Sequence, residues 1–179
     1  LVEKCKISMS DDNSQAQFDE LAKELDLYSI ISQSLEKSGA MGTESTVVSV
    51  YDLVSNEDGM YLDVSDAKTR VDVVDVDWIY PLTWNNKGIT ECAFGSVEFI
   101  DSQKYIVLSV HKLVNGIYHI YNYLFSDNQG NLTEIEMSES TMSDFNTMSD
   151  KPWFAIFEPP LTNNIFNNSP FGIPHYATS

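Results

Sequence analysis

The aspartates Asp72, Asp75 and Asp77 are spaced closely enough to raise the question of a divalent-cation site, since clustered carboxylates are the usual ligands of hard metal ions. Along an extended strand, however, side chains alternate between faces, which sends Asp75 and Asp77 to one side and Asp72 to the other. The three do not converge locally, and a water-facing acidic row is expected. Asp127-Asn128-Gln129-Gly130 and Asn56-Glu57-Asp58-Gly59 also offer oxygen ligands, but they lack the spacing and terminal glutamate of a calcium loop and read as turns.

His111 and His119 flank Asn115-Gly116, and their offsets from that turn bring them near one another across a hairpin, though not necessarily directly opposite. A zinc or acid–base pair there lacks a third ligand, so ordinary cross-strand or surface histidines are expected; His175 stands alone. Cys5 and Cys92 have no Cys-x-x-Cys or Cys/His spacing, which points to neither a disulfide scaffold nor a metal centre and fits a reducing site of synthesis. There is no Gly-rich phosphate loop, no G-x-S-x-G elbow and no H-E-x-x-H. Asn131-Leu132-Thr133 is a glycosylation sequon by pattern only. No catalytic, cofactor-binding or metal-binding residue is assigned.

The elements that position these residues begin with a helical stretch. Ser14 and Gln17 have capping-box spacing, and Phe18, Leu21, Ala22, Leu25 and Tyr28 recur at helical steps. Asp26 interrupts the pattern, and Ile30, Ile31 and Leu35 continue it slightly out of register before Gly39 and Gly42, so one bent helix or two short ones are expected over residues 14–38. From Ser45 the period changes to two: Val47, Val48, Val50, Tyr51, Leu53 and Val54 predict a strand. The turn Asn56 to Gly59 then leads to a hairpin partner carrying Met60, Tyr61, Leu62 and Val64. A third strand is expected from Val71 to Ile79, ending at Pro81, which cannot donate to a ladder. Asn85 to Gly88 predicts another turn, followed by a short strand from Ile89 to Phe94.

The most regular part is a meander: Tyr105 to Val114, the tight Asn115-Gly116 turn, Ile117 to Phe125, the turn at Asp127 to Gly130, and Leu132 to Met137. A polar stretch, Ser138 to Asp150, reads as a flexible link to a segment rich in aromatics, proline and asparagine. The expected fold class is α+β, with N-terminal helices followed by an antiparallel β-meander sheet and an extended aromatic/Pro-rich C-terminal segment. Residues 1–150 are expected to form the α+β domain, and residues 151–179 a connector.

Ten basic against 27 acidic residues give a net charge of −17, spread along the chain. Tight binding to a phosphate backbone is not expected of such a surface. An apolar content of 42% is enough for a core. No stretch approaches the roughly 18 consecutive apolar residues that a membrane helix needs. Leu1 at the start and the uncapped end at Ser179 give the expectation that the sequence is a piece of a longer protein.

The closing segment "KPWFAIFEPPLTNNIFNNSPFGIPHYATS" resembles a stretch of tailed-bacteriophage portal proteins, in which an aromatic F-x-x-F/Y and proline run is followed by asparagines and then N-S-P-hydrophobic-G. The matching positions are Phe154, Phe157, Pro159, Pro160, Asn163, Asn164, Asn168, Ser169, Pro170, Phe171 and Gly172. The order of the preceding pieces is similar too, including "DVDWIYPLTWNNKGITECAFG", with its acidic-aromatic strand, Pro-Leu, Asn-rich turn and I-x-E-x-x-F, and the meander after it. Glu158 departs from the pattern, and Pro174 would disturb a helix beginning at Ile173.

The resemblance implies the wing region of a structural, non-enzymatic portal subunit, found in the virion at the portal vertex of the capsid after synthesis in the bacterial host cytoplasm. Its implied partners are further copies of itself in a dodecameric ring, the terminase motor, capsid and tail-connector proteins, and double-stranded DNA that passes through the channel without sequence-specific binding; no membrane and no cofactor are implied. The 179 residues alone, without stem and clip, are expected to be a monomer or weak oligomer. Two other readings stand beside this one: an acidic protein-interaction adaptor or DNA mimic that covers a basic partner, and a small hydrolase, which requires two acids in one pocket with at least one titrating abnormally.

Overall fold

Asp11, not Ser14, opens the first helix: its carboxylate accepts a hydrogen bond from the Ser14 amide at 2.9 Å, and this bond holds its carboxyl below the usual carboxylate range. Helix α1 (Asp12–Glu24) stops where Asp26 takes a left-handed conformation, with φ 48°, and α2 (Leu27–Met41) restarts immediately. Two helices are therefore present, divided at the expected residue. Gly42, with φ 88°, ends α2 and turns the chain into the first strand.

The computed structural model describes residues 7–51, 54–55, 61–63, 67–85, 88–100, 102–128, 130–135, 144–159 and 169–173. The strands are β1 (Glu44–Tyr51), β2 (Val54–Ser55), β3 (Tyr61–Asp63), β4 (Lys68–Asp75), β5 (Ile79–Asn85), β6 (Gly88–Ile100), β7 (Gln103–Val114), β8 (Ile117–Asn128), β9 (Asn131–Ile135), β10 (Phe145–Asn146) and β11 (Phe154–Phe157). All pair antiparallel, as expected for the α+β class. A small sheet runs β11-β1-β4 and a larger one β10-β8-β7-β6-β5, with β9 also on β8; together they curl into a half-barrel.

Four expectations need correction. The short strand expected over Ile89 to Phe94 runs as β6 from Gly88 to Ile100, and the stretch expected to be a flexible link contains β10, whose buried Phe145 pairs with Ile120. The expected hairpin forms only near its tip, where Val54 and Ser55 of β2 pair with Asp63 and Tyr61 of β3; the body of the expected first strand, β1, lies instead between β4 and β11, and the turn residues 56–59 lie outside the described residues. A turn signal reports local geometry, whereas the partner of β1 is decided by where Val47 can be buried, at 4% exposure, beside Phe94 and Phe154. Nor does the third strand run on to Pro81. It ends at Asp75, a short 3-10 turn spans Val76–Trp78, and Pro81 lies inside β5. The strand tolerates proline because β5 is a sheet edge and its register with β6 shifts between Pro81 and Thr83.

The meander matches expectation most closely. Val114 opposes Ile117 across a two-residue turn in which Asn115 and Gly116 have φ values of 53° and 84°, the left-handed pair that Asn-Gly favours. The core forms where the two sheets face each other, from Val47, Ile79, Cys92, Phe94, Tyr118 and Phe154. Phe154 enters it from β11, so residues of the terminal segment belong to the sheet and the core; burial of one such side chain stabilises by about 1.5–3 kcal/mol.

Candidate functional site

The aromatic terminal segment is seated on the corner where α2 turns into β1. Strand β11 pairs with β1 through Phe157 opposite Glu44 and Phe154 opposite Val47. The Val48 amide donates to the Trp153 carbonyl at 2.8 Å, and the Ser45 hydroxyl donates to the Ala155 carbonyl at 3.0 Å. Pro159 is buried. At residue 169 the described chain resumes with a local turn, in which the Ser169 hydroxyl accepts from the Phe171 amide at 3.1 Å. The Gly172 amide then donates to the Thr43 hydroxyl at 2.8 Å, while that hydroxyl donates to the Gly42 carbonyl at 2.8 Å.

Gly172 is needed for the close approach itself. A Cβ there would collide with the Gly42 carbonyl oxygen and stand 3.2 Å from Pro159 Cδ and 3.3 Å from Glu158 Cβ. Beyond it Ile173 is 5% exposed, and Phe171 packs against the core cluster. Of the motif positions, Phe154, Phe157, Pro159, Ser169, Pro170, Phe171 and Gly172 are therefore described, whereas Pro160, Asn163, Asn164 and Asn168 lie outside the described residues. Cys5 and His175 lie outside them as well.

Three ionisable groups are enclosed, Glu44 at the corner and His111 and Cys92 in the core around Phe94 and Phe154. Glu44, the first residue of β1, is 0% exposed, and burial pushes its carboxyl up to about 7; the Ser34 hydroxyl and Lys37 ammonium nearby pull weakly the other way. Ser34 lies alongside without a well-formed hydrogen bond, so both Glu44 carboxyl oxygens are unpartnered. His111 is also 0% exposed, with neither ring nitrogen bonded, edge-on to Phe94 at 5.3 Å and to Phe154 at 5.5 Å. Burial lowers its imidazole to about 4. Cys92, opposite His111 in the ladder, is a free thiol pushed up to about 12 by burial, which removes thiolate reactivity at neutral pH.

The other sequence candidates are kept apart. His111 pairs with Ile120 and His119 with Lys112, and because directly opposed residues share a face, the two histidines project to opposite sides of the sheet. His119 instead stacks on Tyr121. Asp72 accepts from the Ser49 hydroxyl at 3.1 Å and pairs with Arg70 Nε at 2.6 Å, while Asp75 pairs with Lys37 at 2.7 Å. Among the described residues, no group of three or more His, Cys, Asp or Glu side chains is arranged to hold a metal ion. A cleft of about 290 Å³ opens between the sheets, with Val47, Phe94 and Val107 among its apolar lining and Asp72, Asp75 and Glu98 among its polar lining. No helix among the described residues is long and apolar enough to cross a membrane.

Sequence reasoning named Phe154 and Gly172 but missed the receptor of Gly172 at Gly42 and Thr43, and the enclosed Glu44 and Ser34 beside that corner. The available signal was the run Gly42-Thr43-Glu44-Ser45, four small or polar residues placed before an apolar strand without a loop between. No protein-family model matches this chain, and no curated protein is significantly similar to it.

Proposed function

We propose that the chain is the wing region of a tailed-bacteriophage portal protein, a structural subunit of the ring through which DNA enters and leaves the capsid. The observation that carries this reading is the seat of the N-S-P-x-G run: Gly172 is pressed against the end of α2 so closely that no larger residue fits, which gives the motif a physical reason at its glycine. A connector leading from a wing to a channel-lining stem has to leave the wing at a fixed point and direction. The Gly42-Thr43 corner supplies such a point, and Phe154 anchors the segment upstream of it.

In this reading the chain positions and encloses, and ATP hydrolysis belongs to the terminase motor. A net charge of −17 has the sign needed for a wall that DNA passes without adhering. Negative-stain electron microscopy of the complete gene product tests the proposal. Rings with a central channel are expected; discrete monomers or dimers across a range of salt and protein concentration would sink it and favour an acidic adaptor. The 179 residues alone are expected to scatter light as a monomer or weak oligomer, and a clean dodecamer would count against the assignment of ring contacts to the stem and clip.

A further inference from the structure

Beyond Phe94 the larger sheet loses a strand. β6 pairs with β7 from Cys92 to Ile100 but with β5 only from Gly88 to Phe94, so among the described residues the last stretch of β6 has a neighbour on one side alone. β4 likewise ends the smaller sheet, bonded to β1 and to no other described strand. The cleft of about 290 Å³ lies between these two edges. Residues 72–75 and 94–98 line it without a gap, whereas a sheet face would contribute every second residue. The cleft therefore runs along strand edges.

The ladder fixes which backbone groups face that opening. In a two-residue hairpin the flanking pair, here Val114 and Ile117, is hydrogen-bonded, and bonded and non-bonded pairs alternate from there. Tyr118, one step on, accordingly turns its amide and carbonyl away from β7, to Ser149 and Thr147. Counting along β7 and across to β6 makes Ser96–Val107 and Glu98–Tyr105 bonded pairs, which leaves the N–H and C=O groups of Val97 and Phe99 directed to the open side. Both side chains are exposed on the outer face, Val97 at 38% and Phe99 at 72%. Glu98 alternates to the face of Phe94, towards the cleft, and has no ion pair among the described residues.

We propose that the free edge of β6 binds an extended, basic segment of a partner protein, which adds as a strand beside Val97 and Phe99. Directly opposed residues share a face, so the partner residues facing Val97 and Phe99 are apolar and the one between them, facing Glu98, is Lys or Arg. Charge selects this occupant. Asp72, Asp75 and Glu98 are set against Arg70 in the lining, and a second copy would bring a further −17 to the same edge. Trp78, lying against Gly95, closes the near end and sets where the added strand stops. The site acts through the strand edge and does not rest on the portal reading.

A peptide of about eight residues alternating valine and lysine is the probe, followed by amide NMR of the 179-residue chain. It is expected to protect the Val97 and Phe99 amides from exchange and to leave those of Ser96 and Glu98, already bonded to β7, unchanged. N-methylation of its valines keeps the charge but removes the donors facing β6, and is expected to abolish binding; N-methylation of its lysines is expected to spare it. Val97→Pro, which deletes an outward amide and leaves the β7 ladder intact, is expected to lose binding. Should that variant not fold, Glu98→Lys decides: it is expected to weaken the lysine peptide by up to about 30-fold and to favour a valine–glutamate peptide instead. No binding, equal binding of the valine-methylated peptide, or perturbations scattered over the acidic surface overturns the proposal. So does protection of Val97 and Phe99 that rises with protein concentration alone, which marks a second copy as the occupant.

Discussion

A Cβ at position 172 has nowhere to go, because the Gly42 carbonyl oxygen occupies its place and belongs to backbone that cannot swing aside. Gly172→Ala is therefore expected to break the bond to Thr43 and lift residues 169–173, at a cost of about 1–3 kcal/mol confined to the seat. Hydrogen exchange checks this: protection lost at residue 172 with β7 and β8 unchanged is the expected pattern, and full protection at 172 would show that the close approach is not what holds the segment. At this scale the sequence was readable where a residue type is chemically unusual for its setting. Phe154 and Gly172 stood out among prolines and asparagines. Glu44 did not, since a lone glutamate at a strand start looks like any solvated carboxylate until α2 and β11 are known to close over it.

Among the elements, the 3-10 turn Val76–Trp78 resolves a problem at the edge of the larger sheet. Strand β5 pairs with β6 only from Gly88 to Phe94, and beyond that point Trp78 lies against Gly95 so closely that a Cβ there would overlap its ring. Gly95→Ala is expected to expel the indole and destabilise the fold by about 1–3 kcal/mol, seen as a lower urea midpoint and a red-shifted tryptophan emission; an unshifted emission would mean the ring repacks in place. Pro81 works on the same edge by withholding a donor from a strand whose Tyr80, Leu82 and Trp84 are exposed. Pro81→Thr is expected to raise light scattering at high protein concentration with little loss of stability, and unchanged scattering would show that the edge needs no such protection.

Elements whose cause is local were legible: the helix break at Asp26, the Asn115-Gly116 hairpin and the meander around it. The pairing of β1 with β11 joins Thr46 to Ala155 across most of the chain, and no local turn or period records such a choice.

For the whole molecule, the two enclosed groups that change charge between about pH 4 and pH 7, Glu44 and His111, oppose each other with pH. Glu44, raised from 4.5 to about 7, holds a proton in the folded state that the unfolded chain has already lost, so its contribution makes the fold less stable as pH rises through that window. His111, lowered from 6.5 to about 4, refuses a proton that the unfolded chain accepts, so stability falls as pH drops from 6.5 towards 4. Each gap corresponds to at most about 3 kcal/mol, and Glu44, fully covered but not deep, is expected to reach less than this.

Because one penalty grows as the other fades, their sum changes by less than about 1 kcal/mol between pH 5 and pH 7.5, and the two groups together leave folding stability nearly level there. Removing either exposes the other. Glu44→Gln is expected to become more stable as pH rises through 4 to 6.5, and His111→Leu, which fills the Phe94–Phe154 cage without an unpaired ring nitrogen, to become less stable as pH rises through 4.5 to 7. Urea midpoints of the wild type and both variants across that range check the signs. Opposite slopes bracketing a flatter wild type are expected, and parallel slopes in all three would show that the −17 surface, rather than these two enclosed side chains, sets the response to pH.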